Sequence, residues 1–294
     1  MNITLAMLTA FFWGTTYAVT QYSLSGWPPL LLGAIRALPA GLLLLAIKPN
    51  LPTKAHWGVL LRLGTINIAL FFSLIFVMAL TLPSAISGVG MISVPVFAMV
   101  YHWLFYKKRP TLVQIIPGLT LIGLAWLLFD PNAITLNPLG LMAMLAAISC
   151  IVVGSNMTRS LGSNLHWWTV LSWQLVIGGS LLAVAALIQA ALDPAPYVHV
   201  IENFNRGNAL GLLWLVLLNT AISYTLYVWL LRRMTVVEFT FGGIANPLAG
   251  ILSGMLLLHE TFTPYQYSLM LGMILTSLLP PLLGLLSEKK RLRH

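Results

Sequence analysis

Apolar runs long enough to cross a lipid bilayer recur along the whole of this 294-residue chain. A spanning helix needs about 20 apolar residues, because each residue rises 1.5 Å and the hydrocarbon core is about 30 Å thick. Ten such runs are read, at 3–22, 30–47, 58–80, 84–106, 112–129, 138–157, 168–191, 209–231, 236–258 and 264–286. They are too long for barrel strands and do not alternate as barrel strands do. Charged residues make up only 7% of the chain and apolar ones 59%. A soluble domain carries about a quarter charged residues, and a water-facing surface of this composition would aggregate. The solvent is therefore lipid over most of the surface, and the expected fold is an all-α integral membrane protein of ten helices. Met1-Asn2-Ile3-Thr4 is not a basic leader, and no small-residue cleavage pattern follows the first run. That run is expected to be a retained span rather than a signal peptide.

The breaks carry turn chemistry, as in Ser25-Gly26-Trp27-Pro28-Pro29, Lys48-Pro49-Asn50-Leu51-Pro52 and Asp130-Pro131-Asn132. The longest, Asp193 to Asn208, has room for structure of its own. With the N-terminus placed in the cytoplasm, 13 of the 15 basic residues fall on cytoplasmic segments, among them Lys48, Lys107, Lys108, Arg109 and Arg233. Arg206 falls outside and Arg36 within a span. Basic loops stay inside, so both termini are expected in the cytoplasm of a cell whose inner membrane holds the protein. The same clustering argues against nucleic acid as the reason for the basic excess.

The chain also resembles itself. Spans 3–4 and 8–9 align at a constant offset of 152 residues, which sets Asn67 on Asn219, Pro95 on Pro247, Thr111 on Thr263 and Gln114 on Gln266. In span 2, Arg36 falls opposite Gln174 and Gly41 opposite Gly179. Five spans per half is an odd number, so the second half must enter the membrane from the other side. The reading is two inverted five-helix repeats, 1–134 and 135–294, with a binding site near the midplane where they meet.

Several short stretches then resemble one known family. Phe12-Trp13-Gly14-Thr15-Thr16-Tyr17 is similar to the tryptophan–glycine opening of the EamA family in the drug/metabolite transporter superfamily. Arg36 with Ala37-Leu38-Pro39-Ala40-Gly41 resembles its second-span arginine, and Pro95 and Pro247 its mid-helix prolines. Leu258-His259-Glu260-Thr261 resembles its leucine–glutamate–threonine signature, with Lys108 in the place of the glutamate in the first half. The resemblance implies a ten-helix transporter that exports or exchanges small metabolites such as amino acids.

The residues that can carry chemistry are few. Arg36 sits about a third of the way into its span, where a charge costs several kcal/mol, roughly 2.5–3.5 at the centre by insertion scales. It either recognises a substrate carboxylate or ties the fold to backbone carbonyls or to an acid such as Glu260. Pro95 and Pro247 each free a carbonyl one turn back, so with Asn246 and neighbouring glycines they either line a kinked pore or serve close helix packing. Asn67, Asn219, Tyr224 and Gln174 bring polar groups to membrane depth, for a substrate or for one another. Trp13, Tyr17, Phe72, Trp103, Trp173 and Tyr227 are candidate cavity walls, with packing or an interfacial belt as the alternative, whereas Trp27, Trp57, Trp167 and Trp168 read as interfacial. His259 and Glu260 are candidates for a gate or for proton coupling, against a capped helix end in a solvated loop. No Asp or Glu lies near the centre of a span, which favours facilitated export or exchange over ion coupling.

No cofactor or metal is expected. The six histidines lack metal-ligand spacing, there is no phosphate-binding loop, and Cys150 is the one cysteine. The partners read are a small-molecule substrate and the bilayer, and the sequence leaves the oligomeric state open. An intramembrane enzyme would need a nucleophile–base set at depth, and a receptor a soluble module. The inverted arrangement makes a direct prediction: single cysteines at Lys107 and Thr261 should be labelled by an impermeant maleimide from opposite faces of the membrane. Labelling of both from one side would rule it out.

Overall fold

The computed structural model describes residues 2–107, 109–129, 135–161, 165–231, 233–234 and 242–291, and among them there is no β-strand. The apolar runs become helices, because hydrocarbon offers no partner to a bare peptide group and a helix satisfies its own. Seven are long and apolar enough to cross a membrane. These are α1 (Asn2–Ser23), α2 (Pro29–Ile47), α3 (Lys54–Thr81), α4 (Ser84–Tyr106), α6 (Pro138–Ser160), α7 (Trp167–Leu192) and α9 (Arg206–Leu230). Two apolar helices are shorter, α5 (Leu112–Leu128) and α10 (Ala245–Leu258), and α11 (Pro264–Arg291) closes the series. The long break folds into a short helix, α8 (Ala195–Glu202). The first residues of the expected span 236–258, the turn at 130–134 and Lys108 lie outside the described residues.

Helices packed in lipid gain nothing from the hydrophobic effect, so close approach through small residues must hold them. Helix α2 lies along α7, α1 along α10, α5 along α11, α4 along α10, and α3 against both α6 and α7. At the α2–α7 crossing the two aligned glycines face each other's helix. A Cβ on Gly41 would stand 2.8 Å from the Val176 nitrogen, and one on Gly179 would stand 2.5 Å from the Leu38 nitrogen. Gly14 meets the Asn246 carbonyl, and Gly88 meets Gly250.

Helices α3 and α9 are not regular. Gly64–Leu70 and Trp214–Ile222 are both wound as π-helix, and each segment carries its aligned asparagine, Asn67 or Asn219. A π-turn displaces the usual backbone pairing, which is why such turns collect at functional positions. Helix α4 has a 3₁₀ turn at Met91–Ser93 before Pro95, and α10 begins at Ala245, two residues before Pro247. The breaks are the expected consequence of a missing N–H. Both helices end in the left-handed region at residues 152 apart, Lys107 at φ 52° and His259 at φ 54°. Each is followed by a threonine whose N–H donates to a glutamine three residues on, Thr111 to Gln114 and Thr263 to Gln266.

Two tryptophans expected at the interface are buried instead. Trp27 sits in the core under Phe204, and the Trp168 indole donates to the Lys48 carbonyl. Trp173 likewise donates to the Asn50 carbonyl, so both tie the α2–α3 loop to α7. Trp57 is exposed and packs edge-on against Trp173.

Overpacking at a tight crossing costs about 1–3 kcal/mol. Gly179→Ala should therefore lower the midpoint of thermal unfolding in detergent by several degrees. Gly58→Ala, where an added Cβ meets open space, should leave it unchanged or raise it, since alanine is the better helix former.

Candidate functional site

Arg36 is the centre of the candidate site. It is 4% exposed, on the face of α2 that meets α3 and α9. Its Nε donates to Thr220 Oγ1 at 2.9 Å, and the Thr220 hydroxyl donates in turn to the Leu215 carbonyl at 2.8 Å. That carbonyl lies five residues back, within reach only because this stretch of α9 is π-wound. The guanidinium carbon stands 4.3 Å over the Phe72 ring and 5.8 Å from that of Phe76. A desolvated cation over an aromatic face gains about 2 kcal/mol or more, which offsets a large part of the cost of the buried charge. The polar groups whose fields act on Arg36 are the Tyr17 and Tyr224 hydroxyls. Glu260 is elsewhere, so the reading that tied Arg36 to that acid is corrected.

Around the cation the walls are aromatic. Trp13 packs against Tyr224 and Tyr227, each at 5.2 Å between ring centroids, and Phe72 lies 6.3 Å from Tyr224. The Trp13 indole donates to the Asn219 carbonyl at 3.0 Å, and Asn219 Nδ2 donates to Thr16 Oγ1 at 2.7 Å. Both bonds join α1 to the π-segment of α9. Trp13, Tyr17, Arg36, Asn219 and Tyr224 are thus brought together.

The other candidates are placed differently. Asn67 Nδ2 donates to Gln174 Oε1 at 3.3 Å, joining the π-segment of α3 to α7. This is the aligned counterpart of the tie from Arg36 to α9. Asn246 and Pro247 lie where α10 meets α1 and α4, with Pro247 buried and Asn246 Oδ1 buried without a donor. Pro95 is exposed, so the two prolines break their helices alike in different surroundings. His259 is exposed and forms the left-handed cap of α10.

Glu260 is half-buried and holds the first turn of α4. Its carboxylate accepts from the Ser84 N–H at 2.5 Å and from the Ala85 N–H at 3.1 Å, where a helix N-terminus favours negative charge. Gly254 leaves room for the carboxylate, since a Cβ there would strike it. Burial pushes the Glu260 carboxyl above the ordinary carboxylate range, against the pull of those two N–H groups. Ser84 Oγ donates to the Gly250 carbonyl at 3.0 Å and adds a second tie between α4 and α10.

Sequence reasoning did not find Thr220, Phe76 or Thr16 as partners, nor Ser84 and Ala85 as what Glu260 holds. Thr220 adjoins a named asparagine, but no spacing rule marks a threonine whose role depends on a π-turn.

The EamA-like transporter family matches residues 1–129 and 138–279 of this chain. Protein PecM of Dickeya dadantii is 30% identical over 257 residues, covering 86% of this chain and 83% of PecM. An inner membrane transporter of Escherichia coli, YedA, otherwise uncharacterized, is 27% identical over 285 residues, 92% of this chain and 87% of its own. A second E. coli protein, named "Probable amino-acid metabolite efflux pump", is 26% identical over 272 residues, 90% of this chain and 89% of its own. A solved crystal structure shares the fold at a TM-score of 0.61 and 15% identity, over 96% of both chains. With the family matched over nearly all its length and its apolar helices built to span a bilayer, this chain belongs to the EamA-like transporter family and is a membrane transporter, not an enzyme.

Proposed function

We propose that this transporter exports or exchanges small metabolites that carry a carboxylate, amino acids and related compounds, by alternating access around Arg36. The observation that carries the reading is a buried guanidinium with aromatic walls, one threonine partner and no carboxylate partner among the described residues. Thr220 takes Nε, which leaves the two Nη groups for a bound anion, and a charge-assisted pair of that kind contributes about 1.5–3 kcal/mol. The name of the E. coli efflux pump supports amino-acid metabolites as the class.

The architecture proposed is ten helices in two inverted halves, 1–134 and 135–294. Its support is the set of features that recur at aligned positions: the π-segments, the left-handed caps, the threonine–glutamine pairs, and Gly41 opposite Gly179. The family match also falls in two stretches, 1–129 and 138–279. Helix-end contacts sort by side as an up-and-down chain requires. Gln21 donates to the Leu82 carbonyl, Asn208 to that of Ser23, and Glu260 accepts from Ser84, whereas Trp168 reaches Lys48 at the other end. The charge distribution supports both termini on the cytoplasmic side of an inner membrane. Without an acid at depth among the described residues, exchange or facilitated flux is favoured over coupling to an ion.

Substrate then meets Arg36 from a cavity that opens first to one side and then to the other. Glu260 holds the end where α4 begins and α10 finishes, so it acts as the gate of that end. Asn67 and Gln174 supply the neutral counterpart of Arg36 in the other half, and Pro95 and Pro247 give the flexed helices.

In proteoliposomes loaded with a panel of amino acids, Arg36→Ala should cut transport at sub-saturating substrate about 10- to 100-fold, the loss of one charged pair, with the protein still inserted. Arg36→Lys should recover part of it. Unchanged transport in Arg36→Ala would remove the residue from the site. Glu260→Ala should lower thermal stability by about 1–3 kcal/mol by leaving two N–H groups without their acceptor. The pH dependence has a definite sign. A carboxyl raised in the native state binds its proton more tightly there than when unfolded, so its contribution is fullest below the ordinary carboxylate value and falls as pH rises. Glu260→Gln should therefore flatten the decline in unfolding temperature from about pH 4 upward, and a decline of unchanged slope would count against the burial of this group.

A further inference from the structure

Asn219 has more bonding capacity than the fold uses. It is fully buried. Its Nδ2 is held by Thr16 and its backbone carbonyl by Trp13, so the position of the amide is fixed by α1. Its Oδ1 is buried with no donor. A buried amide oxygen almost always has a partner, and one left without a donor in an otherwise bonded side chain points to a group that arrives from outside. The next residue, Thr220, holds Arg36. A free acceptor and a cation without a carboxylate are therefore presented by two consecutive residues of one π-turn and by the arginine bound to it.

We propose that Asn219 Oδ1 accepts the ammonium of a zwitterionic substrate whose carboxylate lies on Arg36, so that the site selects α-amino acids over the 2-oxo acids of the same side chain. This rests on the reading of Arg36 as the carboxylate site. In an α-amino acid the two charged groups sit on one carbon, and here the free acceptor and the threonine that holds the cation are consecutive residues of α9. An ammonium brings donors and no acceptor, which suits an amide oxygen with no donor of its own, on a residue whose backbone carbonyl already takes the Trp13 indole. A neutral acceptor also leaves Arg36 unpaired in the empty site, whereas an aspartate at 219 would compete with the substrate carboxylate for it. A 2-oxo acid offers oxygen where the ammonium would be, and a buried acceptor facing an acceptor is rejected more strongly than a missing methylene.

The test uses the full-length protein in detergent, with binding read from the concentration dependence of thermal stabilisation. The probes are the proteinogenic L-amino acids, each beside its 2-oxo acid. For the amino acid that stabilises most, the 2-oxo acid should bind at least about tenfold more weakly. Asn219→Leu should weaken the amino acid to the level of the 2-oxo acid and leave the 2-oxo acid unchanged, a difference that a merely structural role would not produce. Asn219→Asp, which keeps the Thr16-facing shape and an oxygen, should weaken both ligands by competing for Arg36 and still prefer the amino acid, and it decides the matter if the leucine variant does not fold. Arg36→Ala should weaken both ligands. Equal binding of amino and 2-oxo acid by the wild type overturns the inference, because an amide turned to offer N–H to an anion gives that result. Equal weakening of both by Asn219→Leu also overturns it, as does loss of the preference in Asn219→Asp. If Arg36→Ala weakens neither ligand, or if no probe stabilises the wild type, the reading of Arg36 falls and this inference with it.

Discussion

Hydrocarbon supplies neither a hydrogen-bond partner nor a solvophobic force between helices, and the structure answers both deficits. The backbone is satisfied inside helices, and the helices are held by close approach and a small number of polar ties. Gly41 and Gly179 set the α2–α7 crossing at a distance that no side chain permits. That crossing carries the candidate site, because α2 presents Arg36 to α9 and α7 presents Gln174 to α3. A wider crossing would withdraw both polar residues from the helices they meet.

The π-turns follow from the same scarcity. A regular helix in lipid has no backbone group to spare, whereas a π-turn releases carbonyls without exposing them to hydrocarbon. Three are put to use in α9: Leu215 receives the Thr220 hydroxyl, Leu218 that of Ser223, and Asn219 the Trp13 indole. Thr220 can hold Arg36 because its own proton is already committed to Leu215. The buried charge is thereby supported by a backbone distortion one step removed, together with the aromatic faces of Phe72 and Phe76. A carboxylate in that position would neutralise the guanidinium and leave it nothing to offer a ligand.

Helix placement was highly legible. Seven of the ten runs appear as helices long enough to cross a membrane, 84–106 as Ser84–Tyr106 among them, 112–129 appears as the shorter Leu112–Leu128, and the loop with room for structure folds into Ala195–Glu202, because length and hydropathy decide where a chain can cross lipid. Arg36 was legible as a point of interest because a charge at depth has a cost that must be offset. Its partners were not. Phe72 was read as a cavity wall and not as the ring under the cation, and Thr220 and Phe76 were not read at all, because which faces α3 and α9 turn depends on π-turns that apolar patterning does not encode. Trp27 and Trp168 show a related gap: an aromatic next to a loop reads as interfacial, but the loop folds back and buries it. Glu260 was legible as a group at a helix end, while its recipient, the first turn of α4, lies 176 residues away in sequence.

The aligned halves allow one molecule to serve as its own control. Positions that match in both type and geometry, such as Thr111 with Thr263 or Lys107 with His259 in the left-handed region, are those a shared fold requires. Positions that match in register and differ in chemistry cannot be explained by the fold, since the other half manages without them. Arg36 opposite Gln174 is the sharpest such case. Gln174 makes its tie to α3 with a neutral amide, so a tie between helices does not require a charge, and an arginine costing several kcal/mol at depth is more than that purpose demands. Glu260 opposite Lys108 is the second case, because a lysine cannot accept the N–H groups of a helix start. The departures from symmetry fall on one buried cation and one helix-capping acid. On the proposal that this transporter binds an anion and opens one end of its pathway at a time, those two points are where it needs asymmetry.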